Sequence, residues 1–248
     1  DVVVLHSDAE VANDWLDRLA AHGTAGDVGI VGTYTNSVGT ATYPLPRSAN
    51  PLPAGQTTAS LDALFARANP AGAVALSFVD GPALYLRREC LRSVGAFDAN
   101  PLGGDYGVEI DFCLRAGSAG FRHLLAGDVF VGHASFGIRE SPGLASRAAE
   151  ALAKLYPSYP AQLKDIAERE PARAFARRVD LLRLAESPKR VVVFVSHPWG
   201  GGIRRYMNDL VALTEARCEV LFLEPAVGDT VERGAALGGR VLRLVGRG

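Results

Sequence analysis

The sequence predicts an α/β protein made of two α/β segments joined by a helical stretch, and three observations carry that prediction. Short apolar, β-branched runs such as Val2–Leu5 and Val28–Gly32 alternate with segments of helical period, the alternation that builds a sheet flanked by helices. From about Gly143 to Glu186 the chain turns to Ala, Arg, Leu and Glu at helical spacing, broken by Pro157, Pro160 and Pro171. Past Pro188 a strand, a Gly-rich loop, a helix and further strands follow, the opening of a doubly wound parallel sheet. The chain therefore divides into residues 1–142, a helical linker over 143–187, and 188–248.

In order along the chain, Val2–Leu5 reads as a strand followed by the polar loop His6–Glu10. A helix near Asp14–His22 follows, with Asn13 or Asp14 as its cap and Trp15, Leu16 and Leu19 as its apolar face. Val28–Gly32 is a second strand. It leads into a loop over Thr33–Gln56, a length that marks either cover for a working site or disorder. Ser60–Ala68 is a short helix, Val74–Val79 and Ala83–Arg87 are strands around the turn Asp80-Gly81-Pro82, and Arg88–Val94 is a helix closed by Gly95. Tyr106–Ala116 carries a short helix ending at Gly117 or Gly120, and Asp128–His133 a strand. In the last segment Lys189–Ser196 reads as a fully buried strand. The loop Gly200-Gly201-Gly202, a helix from about Ile203 to Ala216, and the strands Glu219–Leu223 and Arg240–Val245 come after it.

Bulk properties exclude several classes. With 48% hydrophobic and 21% charged residues the chain is ordinary for a globular protein, and a net charge of −1 gives no electrostatic support for nucleic-acid or membrane-surface binding. No apolar run approaches the ~20 residues a transmembrane helix needs. Cys90, Cys113 and Cys218 are scattered and odd in number. They read as buried thiols in a reducing, cytoplasmic compartment. The chain opens on a strand with no initiator Met, Met207 being its only one, and stops just after a strand, so it reads as an internal piece of a longer protein.

Three groups of residues could carry chemistry. Asp8 and Glu10 stand in the loop after the first strand, where open α/β sheets bind ligands. They could hold a divalent cation through oxygen or cap the next turn. Glu109 and Asp111 stand two residues apart at the start of a helix, where free N–H groups and the helix dipole favour an ionised carboxylate suited to general-base work. Asp111 also has Arg115 at i+4, an ordinary structural partner, whereas Glu109 has no cation at helical spacing. His133 closes a strand beside Gly132, Ala134, Ser135 and Gly137, as a ligand or as a structural residue. His123 reads as a surface residue.

Taken together, His6-Ser7-Asp8-Ala9-Glu10-Val11 with Trp15-Leu16, Asp80-Gly81-Pro82 through Arg87-Arg88-Glu89-Cys90-Leu91, Val94–Asp98, Tyr106–Ala116, Gly120-Phe121-Arg122 and Val131-Gly132-His133 resemble the family-2 glycosyltransferases of the GT-A fold over about residues 1–140. The resemblance implies sugar transfer from a nucleotide diphosphate donor to an acceptor hydroxyl with inversion, assisted by Mn²⁺ or Mg²⁺. It puts Asp8 at the last acid of the metal motif, His6 at the place of its first acid, His133 at a late metal-ligand position and Glu109 at the base. It leaves Asp111 in the catalytic motif, and implies donor or acceptor contacts from Asp80, Gly81 and Arg87. Two departures stand out: Val108 occupies a usual acid position, and the family's upstream nucleotide-binding strands are not in the sequence, which implies that this piece alone binds donor poorly or not at all.

The run Ser196–Tyr206 resembles the start of a family-4 (group-1) glycosyltransferase of the GT-B fold, a Rossmann-like domain, with Gly201 and Gly202 beside the donor. A tight strand-to-helix turn is the plainer reading of the same glycines, and the Gly-x-Gly-x-x-Gly spacing of a dinucleotide fold is missing. The combined expectation is a multidomain, bacterial-type enzyme of surface polysaccharide or glycan synthesis. It would use a glycan or lipid-linked acceptor, with no nucleic-acid partner, in the cytoplasm or at the inner face of the membrane. A nucleotidyltransferase of related architecture and a catalytically degenerate scaffold are the alternatives.

Overall fold

Strand β1 (Val2–Leu5) leads through a tight turn to the two-residue strand β2 (Ala9–Glu10) and then to helix α1 (Trp15–His22). The computed structural model describes residues 1–53, 55–104, 106–134, 142–195, 202–214, 217–225 and 240–244. They fall into two units, Asp1–Asp180 and Leu181–Gly248.

In the first unit β3 (Val28–Thr35) is buried at every residue and forms the spine of a six-stranded mixed sheet. Helix α2 (Thr58–Ala68), β4 (Ala73–Leu76), β5 (Ala83–Leu86), α3 (Arg88–Val94), α4 (Val108–Ser118) and β6 (Arg122–His133) complete the framework. The strand order is β1-β5-β3-β6-β2, with β4 also on β6. β3 and β6 run parallel, while β1, β2, β4 and β5 each pair antiparallel with their neighbours. Twelve residues long, β6 takes β4 along Leu76–Ala73 near its start and β2 at its end. It is therefore one rod carrying local structure at both ends.

Packing explains the boundaries. Leu19 of α1 lies in a cluster with Val28, Val31, Ala126, Val129 and Val131. Leu16, expected on the same face, is exposed, and Asp14 sits in the left-handed region without a side-chain cap bond, so α1 is held by its tertiary contacts. α2 starts at Thr58 because Thr57 and Ser60 form a capping box: the Ser60 N–H donates to Thr57 Oγ1 at 3.2 Å and the Thr57 N–H to Ser60 Oγ at 2.9 Å. Its Phe65 ring meets Tyr34, Tyr43 and Phe130 at 4.8, 5.3 and 5.4 Å between centroids. Buried Asp62 accepts the Phe130 N–H at 2.9 Å and pairs with Arg18, which ties α1 and α2 to the same stretch of β6.

The proline-punctuated stretch forms α5 (Pro142–Leu155), α6 (Tyr159–Arg169) and α7 (Arg173–Ala185). It does more than link. The Tyr34 hydroxyl donates to the Ala172 carbonyl at 2.5 Å and the Tyr43 hydroxyl to Asp180 at 2.7 Å, so this helical stretch packs within the first unit as far as Asp180. Cys90 and Cys113 are buried free thiols.

In the second unit β7 (Arg190–Val195), β8 (Cys218–Pro225) and β9 (Arg240–Leu244) form a parallel sheet, with α8 (Gly202–Thr214) between β7 and β8. Met207 and Val211 of α8 pack on Val220. The run over Lys189–Ser196 reads from sequence as fully buried. In the structure Val191, Val193 and Val195 are exposed, because among the described residues α8 covers one face only. Among the described residues no helix is long and apolar enough to cross a membrane.

Candidate functional site

The site exists because two segments far apart in sequence pair at one point. In β2, Ala9 lies opposite His133 and Glu10 opposite Gly132, and the Ala134 N–H donates to the Asp8 carbonyl at 3.1 Å. Gly132 lets the start of α2 come close beside this pairing, since a Cβ there would collide with the Thr58 hydroxyl. That hydroxyl donates to the Glu10 carboxylate at 2.6 Å, so Glu10 braces α2 against the strand pair. The His6 N–H donates to the Pro82 carbonyl at 2.9 Å, which sets the Asp80-Gly81-Pro82 turn beside the same loop.

Three potential ligand atoms converge there. His6 Nδ1 is 3.3 Å from His133 Nε2, which in turn is 3.2 Å from Asp8 Oδ1, and all three atoms lie within 4.8 Å of one another. The other His6 nitrogen, Nε2, is 4.0 Å from Glu109 Oε1. The His6 side chain is 45% exposed and that of His133 10%, so the cluster is rooted in protein on one side and open to solvent on the other.

His133 is held from both directions by Asn36. The His133 N–H donates to Asn36 Oδ1 at 2.7 Å, and Asn36 Nδ2 donates to the carbonyls of His133 at 3.3 Å and of Asn50 at 3.1 Å. Asn36 is 2% exposed, and the chain from Asn36 to Asn50 folds around it. The long loop after β3 thus closes on Asn36 through Asn50, and Asn36 fixes the end of β6.

Glu109 and Asp111 share a helix start but not a direction. Residues two apart on a helix are separated by about 200°, and the two carboxylates go to different places. Gly107, with φ of 81°, turns the chain into α4. Glu109 faces His6, while Asp111 is 2% exposed and accepts from Arg115 Nε at 2.8 Å and from the Tyr156 hydroxyl at 2.6 Å. Arg115 also donates to the Val94 and Ala96 carbonyls at 2.6 and 3.0 Å. Asp111 therefore locks α4 to the α3–α4 loop and to Tyr156, just past α5. Burial, reinforced by the Asp111 hydrogen bond and charge, pushes the Tyr156 hydroxyl up to about 12.

Asp80 accepts the Thr40 N–H at 2.6 Å and the Thr40 hydroxyl, and burial raises its carboxyl above the usual range against those bonds. Cys113 joins this turn to α4: its thiol donates to the Val79 carbonyl at 3.4 Å. Burial raises the Cys113 thiol, and the Asp80 and Glu109 charges add to the rise. Gly81, at φ of 133°, gives the turn a conformation L side chains rarely adopt.

Arg87 is not brought to the site. It lies past the other end of β5, where it donates to the Ala25 carbonyl and to Glu89, both at 2.9 Å. Gly202 begins α8, and a Cβ on it would meet nothing within 4 Å, so the fold places no close-approach demand on it. Gly201, like Ser135 and Gly137, lies outside the described residues. His123, read from the sequence as a surface residue, is 2% exposed at the start of β6. Burial lowers its pKa to about 4, the Cys113 backbone pulling the other way, and neither ring nitrogen makes a hydrogen bond of normal geometry. The ring borders a cleft of about 400 Å³ with Gly117, Tyr156 and Gln162, away from the His6 cluster.

Two contributors carry little signal of their own in the sequence. His6 was legible only as the replacement of an acid in a strand-end motif, and Asn36 as one polar residue in a long loop. His6, Asp8 and His133 are a group of side chains that could hold a metal ion, with the Glu109 carboxylate 4.0 Å from His6. Neither a protein-family model nor a curated protein sequence matches the chain.

Proposed function

We propose that the first unit is the acceptor-side half of a GT-A glycosyltransferase domain, which moves a sugar from a nucleoside diphosphate donor to an acceptor hydroxyl with inversion. The observation that carries this reading is the convergence of His6, Asp8 and His133 within 4.8 Å, with Glu109 4.0 Å from His6. The donor set fits a divalent cation, because imidazole nitrogen and carboxylate oxygen are its usual protein ligands and they converge here from two elements held by backbone pairing. Asp8 and His133, with His6, would hold the ion. When bound, a divalent cation neutralises the charge that grows on the departing diphosphate.

The chain's own residues do the rest. Glu109, at the solvent-facing mouth of α4, accepts the proton of the acceptor hydroxyl as that oxygen attacks the anomeric carbon, in a single displacement that inverts it. Asn36 holds the His133 backbone and with it the geometry of the cluster. The Asp80-Gly81-Pro82 turn, bonded to the His6 backbone, forms the wall against which donor or acceptor lies. Asp111 positions α4 and does not meet substrate. The second unit, with its parallel β7-β8-β9 sheet and α8, supports a reading as the opening of a GT-B domain in the same polypeptide. Two transfer domains on one chain suit the assembly of surface polysaccharide.

The test is to offer the protein that carries this chain a panel of nucleotide sugars with Mn²⁺ and identify the products. Release of nucleoside diphosphate that is lost in Glu109→Gln supports the proposal. Release of pyrophosphate points to nucleotidyl transfer, and turnover unchanged in a folded Glu109→Gln protein removes Glu109 as base.

A further inference from the structure

We infer that His6 makes the cluster a two-histidine, one-carboxylate site that selects a first-row transition ion such as Mn²⁺, Co²⁺ or Zn²⁺ over Mg²⁺. This rests on the reading that His6, Asp8 and His133 hold a cation, and adds which cation and why.

The spacing supports one shared ion. Ligands about 2.1 Å from an ion, at tetrahedral or cis-octahedral angles, stand about 3.0–3.4 Å apart. Two of the three pairs, His6–His133 at 3.3 Å and His133–Asp8 at 3.2 Å, fall in that interval, and the third, His6–Asp8, lies within 4.8 Å, so both outer ligands reach the ion from positions beside His133. The ring orientations also suit ligation. His133 turns Nε2 into the cluster and leaves Nδ1 buried without a partner, so Nε2 is the atom it offers. His6 turns Nδ1 toward His133 Nε2 at 3.3 Å, so Nδ1 is the atom nearest the shared position, and Glu109 lies 4.0 Å from the opposite nitrogen.

Chemistry then decides the metal. Mg²⁺ prefers an all-oxygen octahedron and gives up its water reluctantly, whereas imidazole suits the later first-row ions. A site with an acid in place of His6 would offer two carboxylates and one imidazole, and would accept Mg²⁺. With two neutral imidazoles and one carboxylate, a divalent ion keeps one net positive charge for an anionic ligand. The 45% exposure of His6 leaves the ion's solvent side open to phosphate oxygen or water.

The experiment is direct titration of Mn²⁺, Zn²⁺ and Mg²⁺ into the chelator-stripped protein, its His6→Asp variant and its Asp8→Ala variant, with a Co²⁺ absorption spectrum for each. His6 is exposed, so His6→Asp should fold, and circular dichroism checks that. Because most sites favour Zn²⁺ over Mg²⁺, the change in ratio on substitution is the decisive quantity. The expected result is a fall in Zn²⁺-to-Mg²⁺ preference of at least about tenfold in His6→Asp, with an altered Co²⁺ spectrum. An unchanged ratio and spectrum, with binding still lost in Asp8→Ala, would overturn the role of His6 and leave the metal reading standing. Binding of no ion by the unsubstituted protein, or equal binding by Asp8→Ala, would overturn both.

Discussion

Replacing Asp111 by alanine separates structure from chemistry at the mouth of α4. The side chain is 2% exposed and holds two hydrogen bonds, one from Arg115 at 2.8 Å and one from the Tyr156 hydroxyl at 2.6 Å. A hydrogen bond to a charged group contributes about 1.5–3 kcal/mol and a neutral one about 1 kcal/mol. Removing one partner of a buried ion pair costs about 3–5 kcal/mol, less here because Arg115 is partly exposed and keeps its two carbonyl acceptors. The expected loss is therefore about 3 kcal/mol, or about 6–12 °C in the melting temperature of the first unit. Circular dichroism melts of the Asp111→Ala and Glu109→Gln proteins are the assay, read beside nucleoside diphosphate release. Asp111→Ala should melt early and, well below its transition, keep a substantial part of the activity. Glu109→Gln should melt within about 2 °C of the parent and lose activity by about 10²–10⁴-fold. An Asp111→Ala protein that melts normally and is inactive would refute the assignment of Asp111 to structure.

Other outcomes follow from the same structure. His123 has its pKa lowered from the ordinary 6.5 to about 4 by burial, so between those values the unfolded chain binds the proton and the native state does not. Its contribution is fully present above about pH 6.5 and is lost as pH falls toward 4, by up to about 3 kcal/mol. Urea melts from pH 7 to 4 should show this slope flatten in His123→Leu, and an undiminished slope would place its cause elsewhere. Asn36→Ala should weaken Mn²⁺ binding at least about tenfold by releasing the His133 backbone, and cost about 2–3 kcal/mol; titration calorimetry on the folded variant checks the first. Gly132→Ala should lower both stability and metal affinity, because its Cβ would force Thr58 away from β6 and loosen the β2 pairing; unaltered affinity would mean that pairing does not set the site.

What the sequence showed and what it hid divide along local and non-local lines. Helix α3 ends at Gly95 and the three helices of the connector are separated at Pro157 and Pro171, because caps and breakers act through neighbouring residues, whereas Pro160, expected as a third break, sits in the first turn of α6, where its missing N–H costs nothing. The strand of β6 was recognisable from its apolar run, though its first half was hidden by the lone polar reading of His123. By contrast β2 is two residues long and has no period to detect, so the pairing that unites His6, Asp8 and His133 could be read only from the structure. Asn36 acts through three backbone groups distant in sequence, and no local pattern reports that. Glu109 and Asp111 illustrate the boundary. The i+4 Arg offered Asp111 a structural partner in advance although the family resemblance also put it in the catalytic motif, a placing its burial against Arg115 and Tyr156 does not fit, while the approach of Glu109 to His6 required the fold.

The measurement that tests the central claim most directly follows product release from a nucleotide sugar by the protein carrying this chain, with Mn²⁺ and with chelator. Nucleoside diphosphate release that needs the ion and falls at least about 10²-fold in both Asp8→Ala and Glu109→Gln, with both variants folded, is the predicted result. Release that persists in chelator, or in either variant, would contradict it.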